Sequence, residues 1–293
     1  MLSRKPRWLT QKIRSGGTGR NVKSLINGLN LNTVCSEAKC PNSGECFSKG
    51  TATFLILGNR CTRNCGFCAI GRGIPQPPDH KEPVQIAEAV SLLDLNHVVI
   101  TSVTRDDLPD GGAGHFAGVI NEIRHRMPHT SIEILVPDFH GESKPVETIV
   151  SARPEVINHN IETVPRLYGY ARPESNYLRS LSLLKKVHCI NPSIKTKSGM
   201  MLGLGEKSDE IRAVLSDLLD AGCSMITLGQ YLQPSTEHLP VSRFVAPEEF
   251  ELWRIEALEM GFRGVASGPF VRSSYNAGEL LCAINAINFS ETV

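Results

Sequence analysis

Three cysteines stand close together in the first quarter of the chain, in the run Cys61-Thr62-Arg63-Asn64-Cys65-Gly66-Phe67-Cys68. Thiolates are ligands for soft metal centres. A structural zinc site usually arrives as two pairs of ligands, and the sequence has no second CxxC pair. An iron–sulfur cluster normally takes four cysteines. Three cysteines would leave one iron with an open coordination position, which suits chemistry rather than scaffolding.

A second trio precedes the first and consists of Cys35, Cys40 and Cys46. The segment around it is polar, has no regular apolar periodicity, and contains the turn formers Pro41 and Gly44. Because packing alone cannot fix such a segment, the spacing favours metal ligation. The alternative is a zinc-binding interaction module in which a residue other than cysteine completes each trio.

The elements that must position these thiols alternate from residue 53 onward. Apolar runs predict strands, and start and stop signals predict helices between them. The strands are predicted at 53–57, 97–101, 131–136, 155–159, 198–204, 224–228 and 264–267. The helices are predicted at 24–31, 83–93, 145–151, 177–188, 209–221 and 247–260. Repeated β-then-α units predict a parallel sheet with right-handed crossovers.

Polar, glycine-rich loops follow every predicted strand. A β/α barrel, full or partial, gathers its active site at that carboxyl end, whereas an open doubly wound sheet would use a single switch point. The loops therefore favour a barrel. The residues predict an N-terminal extension over 1–50, a barrel over 51–268 and a C-terminal extension over 269–293.

Composition restricts the function classes. The 293 residues carry 31 basic and 30 acidic side chains, so the near-neutral chain does not indicate nucleic-acid binding. The apolar runs are too short for a membrane span. Nine cysteines is an odd number, and six lie between Cys35 and Cys68, which favours metal ligation in a reducing, cytoplasmic compartment over a disulfide framework. Cys189, Cys223 and Cys282 are expected to be buried free thiols.

The first residues form a basic arm, Arg4–Lys23, without an acidic side chain. A transit peptide has this composition, but a flexible arm on a cytoplasmic protein is favoured. The arm could contact an acidic partner by charge complementarity or could be a solvated tail.

Taken together, the two trios and several further motifs resemble the lipoyl synthases of the radical S-adenosylmethionine (radical SAM) superfamily. The resemblance covers about residues 20–280. The motifs are Cys35-x4-Cys40-x5-Cys46, Cys61-x3-Cys65-x2-Cys68, Thr101-Ser102-Val103-x-Arg105-Asp106-Asp107-Leu108, Leu135-Val136-Pro137-Asp138-Phe139, Asn158-His159-Asn160, Gly203-Leu204-Gly205-Glu206, Leu228-Gly229-Gln230-Tyr231-Leu232-Gln233-Pro234 and Arg272-Ser273-Ser274-Tyr275.

The resemblance implies a partial (β/α)6-type barrel and two [4Fe-4S] clusters. In that family the cluster that reduces S-adenosylmethionine is bound by the trio Cys61, Cys65 and Cys68. Cys35, Cys40 and Cys46 would hold an auxiliary cluster that donates sulfur. A serine of the RSSY motif completes the auxiliary site, either Ser273 or Ser274, and we assign Ser274. From the residues alone, helix N-capping before a helix over 275–281 would be the favoured explanation of these serines, and only the resemblance reverses that preference.

Other residues are weaker candidates for cofactor contacts. Phe67 is expected near the adenine, and Asn160 and Glu162 near the ribose or amino group. Arg172 and Lys197 are candidates for the cofactor carboxylate or the substrate. The structural alternative for Phe67 is ordinary loop packing. For Asn160 and Glu162 it is capping of the following turn, and for Arg172 and Lys197 it is a solvated surface charge.

The implied activity is that of a sulfurtransferase. It inserts two sulfur atoms at C6 and C8 of a protein-bound octanoyl-lysine and consumes two S-adenosylmethionines. The implied partners are octanoylated lipoyl carrier domains of 2-oxoacid dehydrogenase E2 proteins and of the glycine cleavage H protein, with an electron donor such as ferredoxin or flavodoxin. Another radical SAM sulfur-insertion chemistry is the alternative within the superfamily.

Overall fold

The computed structural model describes residues 5–10, 17–49 and 51–290. One sheet runs through this part of the chain, with its strands in sequence order: β1 (Asn32–Thr33), β2 (Thr53–Ile56), β3 (His97–Ser102), β4 (Ser131–Leu135), β5 (Val156–Asn158), β6 (Lys195–Leu202), β7 (Met225–Gln230) and β8 (Gly264–Gly268). Arg4, Lys12 and Arg14 of the basic arm lie outside the described residues.

Helices flank the sheet and connect its strands. They are α1 (Gly17–Gly28), α2 (Val34–Glu37), α3 (Ser43–Ser48), α4 (Glu82–Leu92), α5 (Ala113–Arg126), α6 (Ser143–Ser151), α7 (Tyr168–Ala171), α8 (Tyr177–Ile190), α9 (Ser208–Asp220), α10 (Pro247–Met260) and α11 (Ala277–Ser290).

The sheet is an open barrel. Strands β2 to β8 pair in parallel, while the two-residue β1 pairs antiparallel with β2. Among the described residues, β1 and β8 each have one neighbouring strand, so the barrel does not close. The predicted α/β partial barrel is confirmed, and β8 adds a seventh parallel strand to the six-unit core.

Apolar spacing accounts for the layers. The strand β2 is buried at all four positions, as expected for a parallel strand covered on both faces. On α9, residues three and four apart face the sheet and are fully buried, as their spacing predicts: Ile211, Val214, Leu215 and Leu218. The carboxyl ends of the parallel strands therefore meet at one edge of the barrel.

Helix α11 covers the opposite, amino end. Its Leu281 and Ile284 pack with Val156 and Met225, the first residues of β5 and β7. At Gly264 an added Cβ would lie 2.5 Å from Ile284 Cδ1, so the absence of a side chain at Gly264 lets Ile284 pack against β8. Because β8 ends at the carboxyl edge, residues 269–276 must run back across the barrel, and they bring the RSSY motif with them.

The structure corrects several local predictions. The first helix is α1 rather than 24–31, and α5 was not predicted because Gly114, Gly118 and two histidines weaken its helical signal. On α8, the spacing of Leu178, Leu181, Leu184 and Val187 predicts one buried face, but Leu178 is 72% exposed. Of the three remaining thiols only Cys223 is buried, and Cys189 and Cys282 are exposed.

Candidate functional site

A cavity of about 440 Å³ opens at the carboxyl ends of the strands. It is lined by both cysteine segments, by the loop after β7 and by the RSSY motif. The lining residues predicted to carry chemistry are Cys35, Cys40, Cys46, Phe67, Cys68, Asn160, Glu162, Ser273 and Ser274. The fold therefore brings together segments that lie more than 200 residues apart in the chain.

The cysteine loop 61–68 follows β2 directly. Its backbone is tied on two sides: Cys61 N–H donates to Gly71 O at 3.0 Å, and Gly66 N–H donates to Ala171 O at 2.9 Å. Phe67 and Cys68 line the cavity. Phe67 is thus placed where a contact with a cofactor is sterically open.

Arg63 clamps this loop from its middle. Its guanidinium donates to the Asp106 carboxylate at 2.7 and 2.9 Å and to Asp138 Oδ1 at 2.7 Å. The side chains of Arg63 and Asp138 are 4% and 0% exposed. Burial raises the pKa of Asp138, but the hydrogen bond and charge of Arg63 outweigh it, so the net pKa lies below its usual value.

Sequence reasoning missed this clamp. Asp106 and Asp138 lie in motifs that follow the neighbouring parallel strands β3 and β4. Their position after adjacent strands is the sequence feature from which their proximity could have been predicted. Arg105, by contrast, pairs with the half-exposed Asp107 at 2.7 Å within its own loop.

The segment of the other trio is built from β1, α2 and α3. Thr33 caps α2 by accepting a hydrogen bond from Ser36 N–H. Two contacts then join this segment to the C-terminal extension. The Asn42 amide donates to Phe270 O at 2.6 Å, and the Tyr275 hydroxyl donates to Glu45 Oε1 at 3.2 Å. The auxiliary cysteines and the RSSY motif are thus held side by side.

The thiols have an environment that needs a metal to ionise them. Burial raises the pKa of Cys35 to about 11 and that of Cys46 and Cys68 to about 12. Iron bound by the thiols would replace those protons. In the part of the chain that the structure describes, no three His, Cys, Asp or Glu side chains gather closely enough to hold a single ion. Cys35, Cys40, Cys46 and Cys68 line one cavity, and thiolates are the donors that an iron–sulfur cluster takes.

The two serines of the motif differ in their contacts. The Ser273 hydroxyl donates to Asn160 Oδ1 at 2.8 Å. The Ser274 hydroxyl makes no hydrogen bond to any described residue, and it lines the cavity. An added Cβ at Gly199 would lie 2.8 Å from Ser273 Oγ, so the missing side chain makes room for the motif. Helix α11 begins at Ala277, so neither serine directly precedes it.

Asn160 and Glu162 lie together on the cavity wall. The Asn160 amide donates to Glu162 Oε1 at 3.0 Å. Burial raises the pKa of Glu162, and the charges of Arg172 and Arg272 oppose that shift. Arg172 stands behind them, outside the cavity lining, and donates to Asn160 O at 2.9 Å.

Arg272 is the cation that sequence reasoning left without a role. It lines the cavity, and burial lowers its pKa while Cys40 and Glu162 act in the opposite direction. The guanidinium therefore lies near groups from both halves of the site.

Lys197 is not brought to the cavity. Its ammonium group lies 2.8 Å from Glu133 Oε1, and both side chains are 0% exposed inside the barrel. Lys197 is five residues before the end of β6 and pairs in register with Asn158. It belongs to a buried ion pair rather than to a cofactor site, because that carboxylate already satisfies its charge.

Comparison with known proteins adds the family. The radical SAM superfamily model matches residues 55–218. A protein named lipoyl synthase from Caldanaerobacter subterraneus subsp. tengcongensis is 54% identical over 94% of this chain and 97% of its own length. One of the same name from Chlorobium phaeovibrioides is 54% identical over 94% and 97%. The chain belongs to the lipoyl synthase family. The family predicted from the motifs is confirmed, as are its class, a radical SAM sulfurtransferase, and its cofactors, S-adenosylmethionine and [4Fe-4S] clusters.

Solved structures show the same fold at low identity. The [FeFe]-hydrogenase maturase HydG matches with a TM-score of 0.57 and 13% identity, over 85% of this chain and 63% of its own. Methylornithine synthase matches with a TM-score of 0.54 and 12% identity, over 81% and 72%. These likenesses establish the partial barrel of this member of the lipoyl synthase family. No described helix is both long and apolar enough to cross a lipid bilayer.

Proposed function

We propose that this enzyme converts a protein-bound octanoyl-lysine into the lipoyl group by inserting sulfur at C6 and C8. The observation that carries the proposal is the shared cavity. Residues of both cysteine trios and the RSSY motif line one space of about 440 Å³. A sulfur source and a hydrogen-abstracting centre must both reach the same carbon, and a common cavity meets that requirement.

The ligand roles proposed here are those of the family motifs. Cys61, Cys65 and Cys68 hold the cluster that binds S-adenosylmethionine. Cys35, Cys40, Cys46 and Ser274 hold the auxiliary cluster. When bound, these groups supply the electron, the hydrogen-abstracting radical and the sulfur.

Ser274 is the better of the two candidate serines. Its hydroxyl is free of hydrogen bonds among the described residues, whereas that of Ser273 is engaged with Asn160. A hydroxyl is a poor ligand for a soft centre compared with a thiolate. A weakly held iron suits a cluster that is dismantled as it gives up sulfur.

The remaining cavity residues position the reactants. Phe67 packs against the adenine, and the linked Asn160 and Glu162 bind the cofactor's polar groups while Arg172 holds Asn160 from behind. The apolar part of the lining accepts the octanoyl chain and excludes water from it. That part includes Val34, Leu135, Met201, Leu232 and Val271.

The partners are octanoylated carrier domains, of 2-oxoacid dehydrogenase E2 proteins or of the glycine cleavage H protein, and a ferredoxin or flavodoxin. Lys5 and Lys39 line the cavity, and their charge suits an acidic carrier. The extensions 1–50 and 269–293 hold the auxiliary cluster on the barrel 51–268. The enzyme works in the cytoplasm, where cysteines stay reduced.

The test is iron and acid-labile sulfide per chain after anaerobic reconstitution, with product analysis on an octanoylated carrier. The wild type should hold two four-iron clusters and form the lipoyl product. A Cys35→Ala/Cys40→Ala/Cys46→Ala variant should hold one, still cleave S-adenosylmethionine to 5′-deoxyadenosine, and insert no sulfur. A Cys189→Ala variant is the matched control, because that exposed thiol lies away from the cavity.

If the wild type held a single cluster, Cys35, Cys40 and Cys46 would not be a sulfur source, and only a generic radical SAM activity would remain. Sulfur insertion by the triple variant would equally overturn the assignment of the trio.

A further inference from the structure

A small cationic and apolar surface covers the outer side of the cysteine loop. We call the exposed side chains of Arg60, Arg72 and Ile74 the outer patch. Ile74 is 92% exposed, the highest value among the described large hydrophobic side chains. Prolines at 75, 77 and 78 stiffen the segment that presents it. Ile74 therefore adds an apolar contact beside the two arginines.

The outer patch is joined directly to a candidate cluster ligand. Arg72 forms a parallel β-bridge with Cys61. The neighbouring glycines make the two hydrogen bonds: Cys61 N–H donates to Gly71 O at 3.0 Å, and Gly73 N–H donates to Cys61 O at 3.1 Å. The outer patch is therefore connected to Cys61 through these two hydrogen bonds and a short length of backbone.

The outer patch does not line the cavity. Phe67, Cys68 and Ala69 of the loop line the cavity, whereas Arg60, Arg72 and Ile74 are absent from that lining. A partner that must insert an acyl chain has to approach the cavity. A partner that only passes an electron can use the outer side, where the substrate and cofactor do not stand in its way.

The charge of the outer patch is positive. Arg60 makes no ion pair within the described residues, and its guanidinium lies over Gly71, where an added Cβ would be 2.6 Å from Nη1. Arg72 lies 3.2 Å from the half-exposed Glu174. An exposed pair of this kind is weak and exchangeable. At least one cation is therefore available to an acidic partner.

We propose that Arg60, Arg72 and Ile74 are the docking surface for a small acidic electron-transfer protein that reduces the cluster of the 61–68 loop. The inference rests on the proposed function, which consumes one electron for each S-adenosylmethionine cleaved. Electrostatic steering by two arginines and a short tunnelling path both favour this face. Transient redox encounters use small interfaces, so a patch of three side chains is adequate.

The electron balance is simple when a flavodoxin is the donor. The anionic hydroquinone of its flavin gives up one electron and becomes the neutral semiquinone. That electron enters the cluster held by Cys61, Cys65 and Cys68. No proton and no further oxidant or reductant is required.

The experiment compares two reductants on the cluster-loaded enzyme. Reduction by flavodoxin hydroquinone and by dithionite is followed by stopped-flow absorbance, and 5′-deoxyadenosine is counted. In an Arg60→Glu/Arg72→Glu variant the second-order rate with flavodoxin should fall at least about tenfold, while the dithionite rate stays within about twofold. An Ile74→Ser variant should weaken flavodoxin binding, measured by titration calorimetry, by about three- to tenfold.

Matched controls lie elsewhere on the surface. Lys185→Glu changes an exposed charge on α8, and Leu252→Ser removes a 66% exposed side chain on α10. Both should leave the flavodoxin rate unchanged. Raising the salt concentration should slow the wild type more than the double-charge variant, because exposed charges are screened.

Three outcomes would overturn the inference. These are an unchanged flavodoxin rate in the variants, an equal loss with dithionite, or a parallel loss of octanoyl-carrier binding, which would assign the patch to the carrier. A wild type that flavodoxin cannot reduce at all would also overturn it. Failure of the proposed function looks different, since dithionite-reduced wild type would then produce 5′-deoxyadenosine without any lipoyl product.

Discussion

The two cysteine segments are held in the fold by different physical means. Residues 61–68 are fixed by buried ionic contacts of Arg63 with carboxylates from the loops after β3 and β4. Residues 35–46 lie on two short helices and are joined to the C-terminal extension by the hydrogen bonds of Asn42 and Glu45. Residues 61–68 are thus attached to the barrel by ionic contacts, whereas residues 35–46 are attached to the C-terminal extension by hydrogen bonds.

The difference matches the proposed chemistry. A centre that cleaves one S-adenosylmethionine after another must keep the same geometry, and a buried ionic clamp supplies that rigidity. A centre that loses sulfur in each cycle must be rebuilt, and two single, part-buried hydrogen bonds are easier to open than a buried ionic contact. Mutations in the two segments should therefore have separable effects on iron retention and stability.

Removal of the clamp should have the largest effect. Arg63→Met leaves the Asp138 carboxylate buried beside Arg179 alone, and loss of one partner of a buried pair costs about 3–5 kcal/mol. The free energy of unfolding from urea titration should fall by that amount. A chelator should also strip iron faster from the 61–68 site than from the auxiliary site. Arg254→Met, which breaks an exposed pair with Glu251, should cost less than about 0.5 kcal/mol. Equal iron loss from both sites would contradict a local clamp.

Acid should weaken the barrel beneath the 61–68 loop. Burial lowers the pKa of His159 to about 4, and the ring is held neutral between Val136 O and the Ser180 hydroxyl. In the unfolded chain its pKa is about 6.5, so the unfolded state gains the proton first as pH falls. Stability should therefore be complete above about pH 6.5 and decline by up to about 3 kcal/mol toward pH 4.

The measurement is urea unfolding at pH 7 and pH 5, where His159 alone contributes about 2 kcal/mol to the difference. A His159→Gln variant lacks this titration, so its two curves should lie closer together. An unchanged difference in that variant would show that other groups carry the acid sensitivity.

The auxiliary segment should respond to the loss of a neutral contact. Asn42→Ala removes the hydrogen bond to Phe270 O and leaves that carbonyl without this donor, which costs about 1–3 kcal/mol. Protease cleavage within residues 269–276 should become faster, while iron in the 61–68 site is retained. Asn59→Ala, at an exposed position, is the control. Loss of iron from the 61–68 site would instead couple the two segments.

The smallest effect is expected at the end of the RSSY motif. Tyr275→Phe deletes the hydroxyl that donates to Glu45, at a cost of about 0.5–1.5 kcal/mol. Binding of the auxiliary cluster should weaken by a few fold in an iron titration, without a change in dithionite-driven cleavage of S-adenosylmethionine. A change in that cleavage rate would place Tyr275 in the other half of the site.

Much of the architecture could be predicted because its signals are local. The spacing on α9, the proline that opens α10 and the polar loops after each strand depend on neighbours in sequence. The exposed Leu178 and Cys189 show the limit of this reasoning. An apolar residue on a helix is buried only where another element covers that face, and the sequence of the helix does not contain that element.

Residue type and spacing are enough to identify the two trios, the RSSY motif and the alternation of strands and helices. Three contacts depend on the tertiary structure. Arg63 pairs with Asp106 and Asp138, and Lys197 pairs with Glu133. Residues 269–276 cross the barrel, where Ser273 contacts Asn160. These contacts span between about 40 and 110 residues of chain. They form only when parallel strands bring their carboxyl ends to one edge, because loop closure of such length has no local signature.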